Sequence, residues 1–288
     1  MRLSNEQKGS LYAITSGFLY GFIGYFGMSA MNTDLSAANM LFWRFSISAL
    51  TVLPMILWSW QSTPRPKIKE IWRAYLSGLL FYGASTLLYF IASPYIGTGL
   101  SMVIFFAYPA MIMLINLLFY KATITGQYGI AITIILIGLC LLVDFKALTF
   151  DMIGIALSLL SGLFYAAYVI ASKKNALPAI PQTLFISLGC MTTSFIVALS
   201  EDSFFIPTQA DTWINLFGIG IIATALPVLL LLKGLEYISA EKGSILSVLE
   251  PVFVMFFGAL LLHETISIIQ LIGCVVILSG ALLTLRPH

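Results

Sequence analysis

The sequence predicts an all-α membrane protein of ten transmembrane helices, arranged as two inverted five-helix repeats with both termini in the cytoplasm. Three observations predict this fold: the composition, ten apolar segments of membrane-spanning length, and an internal repeat. Of the 288 residues 60% are apolar and 9% are charged, and the mean hydropathy is +1.00. A soluble domain typically carries about 25% charged residues, so this composition indicates an integral membrane protein.

Ten segments approach the roughly 20 apolar residues that a helix needs to cross a hydrocarbon core of ~30 Å. They are 9–30, 37–59, 71–92, 96–119, 127–143, 152–172, 182–200, 211–232, 241–262 and 266–285. Five lie in each half, which predicts a first repeat at 1–146 and a second repeat at 147–288. The first segment is too long for the apolar region of a cleaved signal peptide, so we expect it to be retained.

The stretches 95–143 and 237–285 resemble each other at an offset of 142 residues. Matching pairs are Tyr95 and Tyr237, Ile96 and Ile238, Pro109 and Pro251, Met113 and Met255, and Gly138 and Gly280. A looser echo of 16–20 in 161–165 extends the similarity to the start of each half. The pattern predicts a duplicated structure.

The positions of the charges predict the orientation in the membrane. If ten helices are threaded alternately, twelve of the fourteen Lys and Arg residues fall on one side, which the positive-inside rule makes cytoplasmic. Five helices per repeat is an odd number, so the second repeat must enter the membrane from the opposite side. A solenoid is the alternative, but two units of about 142 residues are too few and too long for one.

Pro109 and Pro251 lie at equivalent positions, each about halfway through its span. A proline there removes one backbone hydrogen bond and clashes with the preceding turn, so we expect both helices to kink. Freed carbonyls at membrane depth are tolerated where they are buried or line a watery cavity. Both helices are therefore candidate cavity walls, and packing kinks without a ligand role are the alternative.

Glu250 lies immediately before Pro251, roughly nine residues or about 14 Å into its helix, and so close to mid-membrane. Ionisable residues at this depth are costly and are functional candidates by default. Burial favours the neutral carboxyl group, which suits a proton carrier. The alternative is a structural glutamate that is permanently protonated or paired.

Arg44 lies about seven residues into the second predicted helix, too deep for an ordinary loop charge. It could bind a substrate carboxylate through two hydrogen bonds, or it could hold Glu250 or backbone carbonyls. Further candidates for a polar substrate-binding lining are Tyr82, Ser85, Tyr89, Ser101, Tyr108, Tyr165, Tyr168 and Ser247, together with Asn39 and Asn116. Each serine hydroxyl could instead bond a helix carbonyl one turn back.

The sequence carries no signature of an enzyme, a cofactor site or a nucleic-acid-binding protein. Zinc-binding, phosphate-loop and nucleophile-elbow motifs are absent. Cys140, Cys190 and Cys274 each fall inside a predicted span, so we expect neither a disulfide nor a metal site. The expected partners are a small-molecule substrate and the lipid bilayer, with a monomer and a homodimer both open.

The second half carries two motifs that resemble a known family. The run GLEYISAEKGSILSVLEPVF over 234–253 and the turn His263-Glu264-Thr265-Ile266 are similar to the EamA-type domain of the drug/metabolite transporter superfamily. Its second copy typically has a Leu-Glu-Pro step and a Gly-Glu turn, and here His263 replaces the usual glycine. Trp43-Arg44-Phe45 also resembles the arginine pattern of the family's second helix. The first copy departs from the family by having Tyr108-Pro109 in place of an acidic pair.

The resemblance covers essentially the whole chain and implies a ten-helix carrier of the bacterial inner membrane that exports amino acids or related metabolites, often driven by protons. Inverted repeats place a binding site near the midplane and expose it alternately to the two sides. We therefore expect a secondary active transporter working by alternating access, with Glu250 as the candidate proton site. The alternatives are a multidrug exporter of apolar cations and a non-transporting membrane scaffold or sensor.

Overall fold

The computed structural model describes residues 3–31, 35–59, 66–121, 123, 125–143, 151–263 and 265–285. Within these ranges the chain forms helices and no strand. The helices are α1 Asn5–Tyr20, α2 Ile23–Met31, α3 Ala37–Ser59, α4 Ile68–Leu76, α5 Gly83–Ile96, α6 Thr98–Phe105, α7 Tyr108–Tyr120, α8 Gly126–Leu142, α9 Met152–Lys174, α10 Ala179–Ser200, α11 Ala210–Phe217, α12 Leu226–Leu235, α13 Ala240–Ser247, α14 Glu250–Leu261 and α15 Ile268–Leu283.

Several helices join end to end. A π-helical segment, Ser77–Tyr82, links α4 to α5, and a second one, Gly218–Ala225, links α11 to α12. In a π-helix the backbone bonds run from residue i to residue i+5, and such wide turns occur often at functional sites. Two-residue turns separate α1 from α2, α6 from α7, and α13 from α14.

Among the described residues, seven continuous helical segments are long and apolar enough to cross a membrane, judged by length and composition. They are Ala37–Trp58, Ile68–Ile96, Thr98–Tyr120, Met152–Lys174, Ala179–Ser200, Ala210–Leu235 and Ala240–Leu261. α8 and α15 are apolar but shorter, and the first predicted span is divided between α1 and α2. The predicted all-helical fold is confirmed, while passage of all ten segments through the bilayer stays a prediction.

Some sequence-based predictions fall on residues that the structure does not describe. These are the boundary between 146 and 147, the cations Arg2, Arg65, Lys146 and Arg286, and Glu264 of the family-like turn.

One end of the helical bundle carries the lysines, and we call it the basic end (Lys173, Lys174, Lys233 and Lys242). Lys242 at the start of α13 pairs with Glu6 at the start of α1, with Nζ and Oε1 2.5 Å apart. Lys173 at the end of α9 donates to the carbonyl of Leu235 at the end of α12 over 2.5 Å. The starts of α1 and α13 and the ends of α9 and α12 therefore share this end.

The opposite end carries acidic side chains, and we call it the acidic end (Asp151, Glu201, Asp202 and Asp211). The Ser36 hydroxyl, just before α3, donates to that of Ser203, just after α10, over 2.8 Å. Gly154 in the first turn of α9 packs against Ile96, the last residue of α5. α9 thus begins at the acidic end, whereas α1, its counterpart in the predicted repeat, begins at the basic end.

α8 and α15 make the same close contact twice, once in each direction, when their residues are matched by the 142-residue offset. A Cβ atom on Gly138 would lie 2.9 Å from the Gly273 carbonyl oxygen, and one on Gly280 would lie 2.9 Å from the Ala131 carbonyl oxygen. The offset relates Gly138 to Gly280 and Ala131 to Gly273. The two close approaches are therefore the same contact, made once in each direction.

A second reciprocal contact joins the halves near the helix starts. A Cβ atom on Gly9 in α1 would lie 2.8 Å from Ile238 Cγ2, and one on Gly154 in α9 would lie 2.7 Å from Ile96 Cγ2. The offset relates Ile96 to Ile238. The first helix of each half therefore packs against the other half.

Candidate substrate site

Five buried tyrosines meet in the middle of the bundle, and we call them the tyrosine cluster (Tyr20, Tyr82, Tyr108, Tyr165 and Tyr168). Tyr82 stacks on Tyr168 with ring centroids 4.6 Å apart. Tyr165 meets Tyr108 edge to face at 4.7 Å, and the Tyr20 and Tyr82 hydroxyls are 3.2 Å apart. The cluster draws on α1, α7, α9 and the first π-helical segment, so both halves build it.

Two phenylalanines complete this aromatic wall. Phe45 of α3 lies 5.5 Å from the Tyr82 ring, and Phe105 at the end of α6 lies 5.2 Å from the Tyr165 ring. Aromatic pairs at such centroid distances stabilise packing beyond the area that they bury. The result is a largely apolar interior with phenolic hydroxyls as its polar groups.

The second π-helical segment positions Arg44. Thr224, inside that segment, donates its hydroxyl to the carbonyl of Ile219 five residues earlier over 2.7 Å. Arg44 Nε donates in turn to Thr224 Oγ1 over 2.6 Å, and its guanidinium carbon lies 5.3 Å from the centroid of the Phe45 ring. The side chain is 3% exposed, so a cation is held inside the bundle by one hydroxyl and one aromatic face.

The helix breaks before the two equivalent prolines have matching hydrogen bonds. Ala107 N–H donates to the carbonyl of Ile104, and Leu249 N–H donates to that of Leu246, over 3.2 and 3.3 Å. A proline is tolerated in the first turn that follows, where its missing N–H would have no helical partner. Pro109 therefore follows the break between α6 and α7 just as Pro251 follows that between α13 and α14.

Glu250 begins α14 directly after its break and is partly buried. Its carboxylate interacts electrostatically with Tyr89, Tyr108, Tyr165 and Arg44. It forms no hydrogen bond and no ion pair within 4.0 Å with another described residue. Arg44 therefore does not pair directly with Glu250, and both side chains lie near the tyrosine cluster.

The structure places the other predicted lining residues in different surroundings. Ser85 and Ser161 exchange hydroxyl-to-carbonyl hydrogen bonds of 2.8 Å, which lock α5 to α9. Ser247 donates to the carbonyl of Gly243 one turn back over 2.9 Å, and Ser101 is buried without a hydrogen-bond partner. Ser85 therefore joins two helices, whereas Ser247 also lies beside Tyr108 of the tyrosine cluster.

Tyr89 and the two asparagines also lie in three different places in the structure. The Tyr89 ring lies 5.7 Å from that of Phe105, at the edge of the cluster. Asn39 donates to the Phe205 carbonyl over 3.0 Å at the acidic end, and Asn116 bonds Glu241 at the basic end. Neither asparagine reaches the cluster.

Four residues of this site were not among the sequence-based candidates: Tyr20, Phe45, Phe105 and Thr224. A signal for Tyr20 was present, because residues 16–20 echo 161–165 and so relate Tyr20 to Tyr165. Thr224 is the equivalent of Tyr82 at the 142-residue offset. Phe45 falls within the Trp43-Arg44-Phe45 pattern, whereas Phe105 carries no signal in a chain this rich in aromatic residues.

Comparisons with known proteins agree with this architecture. The model of a family described as the EamA-like transporter family matches residues 7–144 and again 152–286. An "Uncharacterized transporter" of Archaeoglobus fulgidus is 27% identical over 281 residues, 96% of each chain. The "Uncharacterized transporter YcbK" of Bacillus subtilis is 26% identical over 216 residues, 71% of this chain and 69% of that one.

The fold is also found among solved structures. One of them is titled "Crystal structure of protein" and matches with a TM-score of 0.80 at 15% identity, covering 96% of this chain and 95% of that chain. At this level of identity the similarity shows the fold alone.

Proposed function

The chain belongs to the EamA-like transporter family, and from this premise we propose that it exports amino acids or related small metabolites across a bacterial inner membrane as a secondary active transporter. The observation that carries the proposal is Glu250, an intramembrane carboxylate beside the tyrosine cluster with no direct partner among the described residues. Such a group is costly unless it binds a proton or a cation. A carboxylate that takes a proton and a substrate ammonium group in turn would couple the two fluxes.

The reciprocal contacts support alternating access as the mechanism. α1 and α9 begin at opposite ends of the bundle, and each packs against the other half. Two similar halves in opposite orientation can exchange conformations, so that a central site opens first to one side and then to the other. We assign the basic end to the cytoplasm by the positive-inside rule, with all ten segments crossing and both termini inside.

The chemistry of the central site favours a zwitterionic substrate. Arg44 offers a carboxylate partner, Glu250 an ammonium partner, and the tyrosine cluster offers aromatic faces to an apolar side chain. A phosphate substrate would favour several buried cations, and Arg44 is the cation beside this cluster in the part of the chain that the structure describes. An amino acid or a similar metabolite fits this set of groups.

A multidrug exporter of apolar cations is the second candidate. The five tyrosines and Glu250 favour it, because aromatic faces and a carboxylate both attract a cation that has shed its water. Cells that produce the protein would then resist quaternary ammonium compounds but would not tolerate amino acids or their toxic analogues better than control cells. That result would favour the multidrug function.

Efflux from proteoliposomes tests the first proposal. Vesicles containing the purified chain are loaded with each of the twenty amino acids in turn, and efflux is followed with and without an imposed proton gradient. Efflux should accelerate with the gradient in the wild type and lose that dependence in Glu250→Gln. Glu201→Gln, an exposed acid at the acidic end, is the matched control and should behave as the wild type. Gradient-driven efflux by Glu250→Gln would remove the proton role, and the absence of any flux would favour a scaffold or sensor.

A further inference from the structure

A pocket of about 420 Å³ opens at the basic end, between the end of α9, the start of α10 and the end of α12. This volume lies within the usual range for small-molecule sites. The polar residues of its lining are Ser172, Lys173, Asn175, Gln182, Lys233 and Glu236. None of them belongs to the central site described above.

The charges in this pocket are not balanced. Lys233 pairs with Glu236 Oε2 at 2.7 Å, and Glu236 Oε1 accepts the backbone N–H of Ala179, the first residue of α10, over 3.1 Å. Both oxygens of this carboxylate are therefore occupied. Lys173 bonds only the carbonyl of Leu235 and makes no ion pair within 4.0 Å with a described acid.

The neighbouring hydroxyl is also without a partner. Ser172 is 4% exposed, and its Oγ has no hydrogen bond. Gln182 donates to the Ser172 carbonyl over 3.0 Å and so fixes this turn at the pocket wall. Buried hydroxyls are normally hydrogen-bonded, and the Lys173 ammonium group has N–H donors beyond its bond to Leu235. Both residues line the pocket and can therefore serve an anionic ligand there.

This wall leads inward to the tyrosine cluster. Tyr168 lies one helical turn before Ser172, so both side chains share a face of α9. The buried Tyr168 hydroxyl lies next to that of Ser172, and its ring stacks on Tyr82. These two hydroxyls therefore connect the pocket to the central site.

We propose that this pocket is the entry site for the exported solute and that Lys173 and Ser172 bind its carboxylate group. The ligand is a carboxylate-bearing metabolite of amino-acid size. This inference rests on the proposed export function and adds where the solute first binds and which group is recognised.

Binding to the purified full chain in lipid nanodiscs tests the inference. Calorimetric titrations use the twenty amino acids and, for those that bind, the corresponding carboxamides. Lys173→Met should weaken binding at least tenfold and Ser172→Ala more modestly. Lys174→Met is the matched control, because Lys174 is adjacent and exposed but lies over the Tyr120 ring instead of lining the pocket. Its affinity should equal that of the wild type.

Three results would overturn the entry site. They are equal affinity in Lys173→Met and the wild type, equal affinity for an amino acid and its carboxamide, and no binding of any of the twenty. The proteoliposome assay separates this inference from the function. If Lys173→Met shows normal efflux that reaches half its maximal rate at the same substrate concentration as the wild type, the entry site is disproved while the export function stands. If the wild type itself shows no efflux, the export function is disproved.

Discussion

The hydroxyls of Ser48 in α3 and Ser187 in α10 share a hydrogen bond of 2.9 Å in the buried crossing of these two helices. Nearby contacts suggest why these two residues meet. Gly220 packs against Ile47, and Gly78, its equivalent at the 142-residue offset, packs against Ile186. Ser48 and Ser187 thus lie next to Ile47 and Ile186, where the first half of the chain meets the second.

Removing both of these hydroxyls should cost less than the sum of the costs of removing each one alone. Ser48→Ala leaves Ser187 with a buried, unpaired hydroxyl, and we expect a loss of about 1–3 kcal/mol in the free energy of unfolding. Ser48→Ala/Ser187→Ala should lose clearly less than the sum of the single changes. Unfolding in mixed micelles, analysed as a double-mutant cycle, measures the coupling. Additive losses would show that the two hydroxyls do not stabilise each other.

Arg44→Met should separate stability from transport. The variant keeps most of the side-chain volume and leaves Thr224 bonded to the Ile219 carbonyl, and it removes a buried charge that is costly to hold away from water. We expect an unchanged or higher midpoint of thermal unfolding with at least a tenfold loss of efflux. Arg44→Lys should not restore efflux, since an ammonium group cannot make the two parallel bonds of a guanidinium. A strong drop in the midpoint of thermal unfolding would show that the role of Arg44 is structural.

Gly138→Val and Gly280→Val should destabilise the protein to a similar degree. Each added side chain would enter a reciprocal contact in which even a Cβ atom would lie within 3.0 Å of a backbone oxygen, and overpacking of this kind costs about 1–3 kcal/mol. Gly126→Ala is the control, because nothing lies within 4 Å of its added Cβ atom. Very different losses in the two valine variants, measured by thermal unfolding, would contradict the equivalence of the contacts.

Labelling of single cysteines should reveal the orientation. In a protein whose three native cysteines are replaced by alanine, Asp211→Cys should react in intact cells with a maleimide that cannot cross the inner membrane. Lys174→Cys should react only after the membrane is opened. The assignment follows from the positive-inside rule, and the reverse pattern of labelling would place the basic end outside.

The sequence shows which polar residues fall within apolar segments, but it does not predict the direction in which each side chain points. Glu250 is a candidate because an ionisable residue at mid-span is costly, and Tyr82 and Tyr165 are candidates for a polar lining; these three lie at or beside the tyrosine cluster. Ser85 is a candidate for the same lining but bonds Ser161 in the packing of α5 on α9. The π-helical segments change the direction in which the side chains that follow them point. Thr224, which bonds Arg44, lies in one of these segments.

The fold was more predictable than the site, because hydrophobic length alone locates the helical segments. The break between α1 and α2 at Gly21 and Phe22 was not foreseen. Gly21 packs against Phe253 so closely that a Cβ atom would lie 2.5 Å from that of Phe253. This is a tertiary contact between segments more than two hundred residues apart in sequence, which local patterns cannot show.

The contact of Gly9 with the Gly234 region also bears on biosynthesis. A ribosome delivers α1 to the membrane long before α12 and α13 exist, so the first helix must wait among lipids until nearly the whole chain has been made. The main neighbours of α1 lie in the second half, so a nascent chain released after α8 would leave its first helix without them and would be a natural substrate for membrane proteases.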